Sequence, residues 1–117
     1  MKRIRSHLVG IDQGSVLMFS DYEDGGAMWT GHGRRELRKH CAFSQPYAAA
    51  PSEQVTLSMW DMDQKSNQRA DLTAENITPT GFDLVFRTWG DTRVARVRAG
   101  WLAIGPADGN DDDWQLY

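Results

Sequence analysis

The chain has 117 residues, of which 40% are hydrophobic and 25% charged, and its formal net charge is −3 at pH 7. This length predicts one domain over residues 1–117, with an N-terminal extension at 1–6 and an acidic tail at 106–117. The composition excludes wholesale disorder and a membrane-spanning helix, and the negative charge argues against nucleic acid as a partner. The single cysteine, Cys41, excludes an intrachain disulfide and a cysteine-based zinc site.

The first residues are not predicted to form a secretion signal. Basic residues at 2–5 are followed by polar residues and glycines at 7–14, before an apolar segment could begin. We therefore expect no signal peptide and a cytoplasmic protein, with a surface location only through a non-standard or assembly-dependent route.

Short segments with strand-like composition recur along the chain between turn residues. In chain order they are 15–19, 38–43, 55–62, 70–76, 82–87 and 93–104. Regularly spaced short strands of this kind are typical of an all-β sandwich or barrel. The alternative at residues 34–40 is a helical turn, because Arg, Glu, Leu and Lys favour helix.

Alternation within three of these segments predicts which side chains face the core. The apolar positions that share a face are Val55, Leu57 and Met59, then Phe82, Leu84 and Phe86, and finally Val97, Ala99, Trp101 and Ala103. Trp60 and Met62 are predicted on the opposite face from Val55, and Val85 on the opposite face from Phe82. Large apolar side chains on both faces of a strand indicate that outward residues such as Trp60 and Val85 are buried between subunits.

Two stretches show no periodicity. Residues 20–33 are rich in Gly and Asp, and a long loop of this kind in a small domain is usually functional or flexible. The acidic tail ends in apolar residues, Trp114, Leu116 and Tyr117, which predicts that it docks on a surface.

The residues give little support for a metal site or a catalytic site. His40 and Cys41 are neighbours on a predicted strand and point to opposite faces, so Cys41 is better explained as a small core residue. The acidic stretch 108–113 lacks the glycine and the closing glutamate of a calcium loop. The basic runs at 34–39 and 93–98 are predicted to be solvated or ion-paired. We expect no metal, no cofactor and no enzyme activity, and a small hydrolase ranks last among the functions considered.

Arg69 and Trp89 form the most specific candidate site. The planar guanidinium of arginine can donate hydrogen bonds to two vicinal sugar hydroxyls, and an indole face packs on the C–H face of a pyranose. A purely structural Arg–Trp stacking pair is the alternative at this point.

The ordered set of residues around this pair resembles the H-type lectin family, the N-acetylgalactosamine-binding agglutinins that include the C-terminal domain of discoidins. The matching residues from position 58 onward are Asp61, Asn67-x-Arg69, Thr78-Pro79-Thr80-Gly81-Phe82, Thr88-Trp89 and Trp101-x-Ala103-Ile104. Upstream the resemblance continues through Arg35-Glu36-Leu37, Phe43-x-x-Pro46-Tyr47 and Pro51.

The resemblance implies a six-stranded antiparallel β-sandwich that assembles as a trimer, with sugar sites between protomers and no calcium. It also implies that Arg69 binds sugar hydroxyls and that Trp89 packs in the site. Two positions depart from the family pattern, because Gly90 stands where a histidine contacts the sugar and His32 where an acidic residue does. Asp21, Glu23 or Asp24 of the preceding loop could replace that acidic residue, and of these we assign Asp21 and Asp24 to the candidate site.

We therefore predict a lectin for N-acetylgalactosamine or galactose-type glycans that acts in adhesion to glycosylated surfaces. Its predicted partners are glycans and further copies of itself, as a homotrimer with a hexamer as the alternative. A second hypothesis is a structural or attachment subunit that uses the same fold without binding sugar.

Overall fold

The computed structural model describes residues 1–107, which form six β-strands and one short helix. The strands are β1 (Val9–Ser20), β2 (Arg35–Ala42), β3 (Ser52–Met62), β4 (Asp71–Glu75), β5 (Gly81–Thr88) and β6 (Val94–Pro106), and the helix is α1 (Ala27–Thr30). Strand β6 therefore includes Pro106, where the tail was predicted to begin. The acidic stretch 108–113 and the apolar end of the tail lie outside the described residues.

The strands form two antiparallel sheets, with strand orders β1-β6-β3 and β2-β5-β4. The predicted six-stranded antiparallel sandwich is confirmed. The helical alternative at 34–40 is wrong, because β2 pairs along its whole length with β5, from Arg35 opposite Thr88 to Ala42 opposite Gly81. Cross-strand pairing outweighs the helix propensity of these residues.

Three loops meet at one end of the sandwich because β1, β3 and β5 all finish there. They are the β1–β2 loop (residues 21–34), the β3–β4 loop (63–70) and the β5–β6 loop (89–93). We call this end the loop end. The β1–β2 loop was expected to be irregular, and the structure adds the single turn of α1 within it.

The two central strands provide most of the core. Phe82, Leu84 and Phe86 of β5 and Val97 and Ala99 of β6 are fully buried, as the alternation predicts. Burial of each large apolar side chain contributes roughly 1.5–3 kcal/mol to stability. Rings link the two sheets, since the centroids of Phe82 and Trp101 lie 5.3 Å apart. Cys41 is also buried in this core, in agreement with the prediction.

Strand β1 is longer than predicted because side chains from elsewhere fill the space above its glycines. A Cβ atom at Gly14 would lie 2.6 Å from the indole nitrogen of Trp101, and one at Gly10 would lie 3.0 Å from the ring of Tyr47. Large side chains therefore cannot alternate along this part of β1. Without that alternation, the sequence pattern does not predict the first half of the strand.

The predicted faces of β3 are correct up to Leu57 and wrong beyond it. The register against β6 shifts between Leu57 and Met59, and again between Asp61 and Met62. These irregularities turn Met62 towards the core, whereas alternation had placed it outside with Trp60. Trp60 now stands opposite the buried Val97, so the register also moves it off the predicted outer face, and its side chain is 56% exposed on this edge strand.

The outer face of the β2-β5-β4 sheet is covered by ion pairs. Arg38 lies 2.9 Å from Glu75 and Arg87 lies 2.7 Å from the other oxygen of the same carboxylate. These arginines lower the pKa of Glu75 to about 2. Val85, which shares this face with Arg87, is fully buried. The prediction that Val85 is free to pack on a neighbouring protomer is therefore wrong.

Glu53 is a buried carboxylate on the inner face of β3. It stands opposite Ala103 of β6, whose other neighbour across the sheet is Asp12 of β1. Neither oxygen of Glu53 has a hydrogen-bond partner within residues 1–107. Burial, together with the charge of Asp12, raises the pKa of Glu53 to about 7 from its ordinary value of 4.5.

We predict that Glu53→Gln stabilises the protein at pH 8 and removes one component of its pH dependence. A raised pKa in the folded state stabilises folding below about pH 4.5, and this contribution is lost as the pH rises through about 7. The variant should gain on the order of 2–3 kcal/mol at pH 8 in urea unfolding and little at pH 4.5. Glu23→Gln, on an exposed loop, is the matched control; equal responses of the two variants would contradict the assignment.

Candidate functional site

Arg69 is held at the loop end by two buried threonines. Its backbone N–H donates to Thr92 Oγ1 (3.1 Å), and its carbonyl accepts from Thr88 Oγ1 (2.6 Å). Thr92 Oγ1 also donates to the carbonyl of Asn67 (2.5 Å). Thr92 is 0% and Thr88 2% exposed, so these bonds are protected from water. The β3–β4 loop is thereby attached to both ends of the β5–β6 loop.

The guanidinium of Arg69 lies across Gly90 and pairs with Asp91. Its Nη1 atom is 2.5 Å from Asp91 Oδ1. A Cβ atom on Gly90 would lie 3.2 Å from the same Nη1, and Gly90 has φ +68°, a conformation that favours glycine. Gly90 therefore lets the Arg69 side chain lie against the backbone.

This pair leaves both charged groups open to solvent. The side chain of Arg69 is 34% exposed and that of Asp91 is 52% exposed. The hydrogen bond from Arg69 is the main reason that the pKa of Asp91 lies below its ordinary value. Arg69 thus presents hydrogen-bond donors beside an ionised acceptor, which is the combination that a sugar diol requires.

Trp89 lies next to this pair along the chain and faces a different space. It lines a groove of about 650 Å³ together with Arg34, Arg35 and Asp71, and Arg69 is not among the residues of that groove. Trp89 is 42% exposed, so its indole is available to a ligand. The structure thus brings Arg69 together with Gly90 and places Trp89 on the adjoining surface.

The β1–β2 loop is fixed beside Gly90. The N–H of Gly33 donates to the carbonyl of Gly90 (3.0 Å), and the guanidinium of Arg35 donates to the carbonyls of Gly33, Met28 and Gly90. Asp21 accepts from the N–H of Met28 (3.0 Å) and so supports the first turn of α1. Its carboxylate is used to order the loop.

His32 and Asp24 are exposed on the same loop. Within the described part of the chain, no hydrogen bond or ion pair joins either residue to Arg69. Their assignment to the site, like that of Asp21, stays a prediction.

Sequence reasoning missed Asp91, Thr92 and the aromatic contacts of the β1–β2 loop. Arg93 places its guanidinium 4.2 Å from the ring centroid of Trp29, and Tyr22 contacts the same ring edge-on. A threonine at each end of the Trp89–Asp91 turn was a visible signal, but only the fold shows that both hydroxyls reach Arg69.

Residues 1–107 contain no group of three side chains that could hold a metal ion. Over the same residues, no helix has the length and apolar character needed to cross a bilayer. In the basic runs, Arg38 pairs with Glu75 (2.9 Å), Arg93 with Asp63 (3.6 Å) and Arg96 with Asp61 (3.2 Å). Arg34 and Arg98 are exposed to solvent.

The H-type lectin domain model matches residues 38–104, which is more than half of the chain. The chain belongs to the H-type lectin family. A protein of Fuscovulum blasticum designated ATP synthase subunits region ORF 7 is 58% identical over 108 residues, covering 92% of this chain and 93% of that protein. The matched family is a family of lectin domains.

Discoidins of Dictyostelium discoideum are also similar to this H-type lectin. One discoidin-1 polypeptide is 35% identical over 81 residues, which cover 68% of this chain and 32% of discoidin-1. The solved structure of recombinant discoidin II has a TM-score of 0.75 at 22% identity and covers 92% of this chain and 41% of that one. The chain thus spans about a third to two-fifths of these relatives, and the structural likeness shows the shared fold.

We predict that Thr92→Val weakens both the fold and the site. The change removes one hydroxyl that accepts from Arg69 and donates to Asn67, so unfolding should become easier by about 1–3 kcal/mol in urea titrations. Thr56→Val, on an exposed position of β3, is the matched control with the same change in shape. Equal unfolding midpoints for the two variants would show that the buried hydroxyl does not hold Arg69 in place.

Proposed function

We propose that this H-type lectin binds N-acetylgalactosamine or galactose-type glycans at the loop end, through the Arg69–Asp91 pair. The observation that supports this most is the exposed ion pair itself, held by buried threonines and lying on a glycine. A rigid site of this kind loses little conformational entropy when it binds a ligand.

Each residue has a role in the proposed site. The Arg69 nitrogens that do not face Asp91 donate to vicinal hydroxyls, and Asp91 accepts from one of them. Trp89 provides an apolar platform on the adjoining surface. Gly90 has no side chain and so lets Arg69 lie against the backbone. Asp24 and His32 reach the ligand from the β1–β2 loop, while Asp21 orders that loop.

We expect Arg69→Ala to abolish glycan binding because it removes the main donor and leaves Asp91 unpaired. The measurement is a glycan array read at one protein concentration, with circular dichroism to confirm the fold. Arg5→Ala is the matched control, since Arg5 is exposed and distant from the loop end in sequence. Unchanged binding by Arg69→Ala would remove this site from the proposal.

A blank array from the folded native protein would support the alternative, a structural or attachment subunit. In that case the resemblance to lectins would reflect the fold rather than the activity. Adhesion also requires the protein to reach a glycosylated surface, by a non-standard or assembly-dependent route in this proposal.

The proposal includes a homotrimer, because one sugar site gives modest affinity and several rigidly linked sites raise avidity by roughly 10²–10⁴. The outer face of the β1-β6-β3 sheet is the surface we assign to this contact. It carries exposed apolar side chains: Val9 (53%), Ile11 (69%), Leu17 (43%) and Ile104 (37%). The outer face of the other sheet is occupied by its own ion pairs, so it offers less apolar area to bury.

We predict that Ile11→Glu shifts the protein from trimer to monomer, since a buried unpaired carboxylate at a contact between protomers is costly. Size-exclusion chromatography with light scattering would measure the molar mass. Ala48→Glu adds the same charge at an exposed loop position and should leave the trimer intact. A monomeric native protein, or a trimer that tolerates Ile11→Glu, would overturn this assignment.

A further inference from the structure

The groove beside Trp89 differs chemically from the Arg69–Asp91 pair. Its charged lining residues are Arg34, Arg35, Glu36, Asp71 and Arg87. The groove adjoins the Arg69 site along two chain segments, because Ala70 follows Arg69 and Trp89 precedes Gly90. Consecutive Cα atoms are about 3.8 Å apart, so the two spaces are neighbours on the surface.

Both carboxylates of the groove lie within ion-pairing distance of Arg87. Arg87 lies 2.8 Å from Glu36 and 3.8 Å from Asp71, and it also pairs with Glu75. Over residues 1–107, no carboxylate lies within ion-pairing distance of Arg34 or Arg35. Three arginines and two carboxylates leave the groove with a net positive charge, in a chain whose net charge is −3.

The two unpaired arginines have different parts in this arrangement. The guanidinium of Arg35 is held by three backbone carbonyls, so it contributes positive potential and few free donors. Arg34 is exposed and makes no hydrogen bond within the described residues. Its guanidinium is therefore free to bind an anion at the mouth of the groove.

The remaining lining residues suit a sugar ring. The indole of Trp89 is 42% exposed and can pack on the C–H face of a pyranose. Glu36 and Asp71 retain oxygen lone pairs that accept from hydroxyl groups. A polyol with a single negative charge therefore meets donors, acceptors and an apolar platform together.

We propose that the Trp89 groove binds a carboxylated sugar residue, such as a uronic acid, in a glycan whose neighbouring residue occupies the Arg69–Asp91 pair. Arg34 pairs with the sugar carboxylate, Trp89 packs on the ring, and Glu36 and Asp71 accept from its hydroxyls. This inference rests on the proposed lectin function and adds an acidic subsite to it.

The test compares methyl galactoside with methyl galacturonide, two probes that differ only in the carboxylate at C6. Each is titrated into the native protein at 50 mM NaCl, and NMR follows binding through backbone amides and the indole N–H of Trp89. We expect the galacturonide to bind at least five-fold more tightly and to shift the Trp89 indole signal. At 500 mM NaCl the preference should shrink, because salt screens an exposed ion pair.

Arg34→Gln is the decisive variant, and Arg5→Gln is its control with the same loss of charge. Arg34→Gln should reduce the preference for galacturonide to less than two-fold, while Arg34→Lys retains part of it and Arg5→Gln all of it. Equal affinities in the native protein, a preference that survives Arg34→Gln, or an unmoved Trp89 indole would each overturn the acidic subsite.

The same titrations separate this inference from the proposed function. In the first outcome, the native protein binds the galactoside and the galacturonide equally, and Arg69→Ala no longer binds the galactoside. The acidic subsite then fails and the lectin site stands. If galacturonide binds through Arg34 and the galactoside does not bind, the acidic subsite stands and the Arg69 site for neutral galactosides fails. If neither probe binds, both fail.

Discussion

The packing of β5 on β6 is the contact on which the rest of the structure depends. Each strand is the centre of its own sheet, and both are almost completely buried on the inner face. They are joined by the five-residue β5–β6 loop, which carries Trp89, Gly90 and Asp91. Because the core fixes both ends of this loop, the loop residues have a defined position. The candidate site is therefore built on strands that the core holds in place.

Arg69 illustrates how that rigidity reaches the site. It lies on a neighbouring loop whose backbone would otherwise be free, but Thr88 and Thr92 bind its carbonyl and its N–H. Thr88 is the last residue of β5 and Thr92 lies two residues before β6, and both are buried, so the core determines their positions. Gly90 then allows the Arg69 side chain to lie flat and to meet Asp91. The resulting donor and acceptor are ordered before any ligand binds.

The two outer faces of the sandwich have opposite characters. On the β2-β5-β4 sheet, Arg38 and Arg87 connect acidic residues of three strands and cover Val85. On the β1-β6-β3 sheet, the side chains of Ile11 and Ile104 are exposed to solvent. This asymmetry is the reason that the proposed trimer contact is assigned to the β1-β6-β3 face. In that proposal the loop end stays accessible, with the Arg69 pair and the Trp89 groove side by side.

The sequence by itself determined the fold class, the centres of the strands and the inner faces of β5 and β6, because alternation of apolar residues reflects burial directly. It also singled out Arg69 and Trp89 as candidate site residues, and that assignment stays a prediction. Three features depended on tertiary contacts. The length of β1 depends on Trp101 and Tyr47, which cover its glycines, and the inward turn of Met62 follows from register shifts against β6. The third feature is the separation of Arg69 from the Trp89 groove. Each of these features arises between residues that are distant in sequence, so the local hydrophobic pattern does not predict it. Asp91 became part of the site only when the fold brought it to Arg69, 22 residues earlier in the chain.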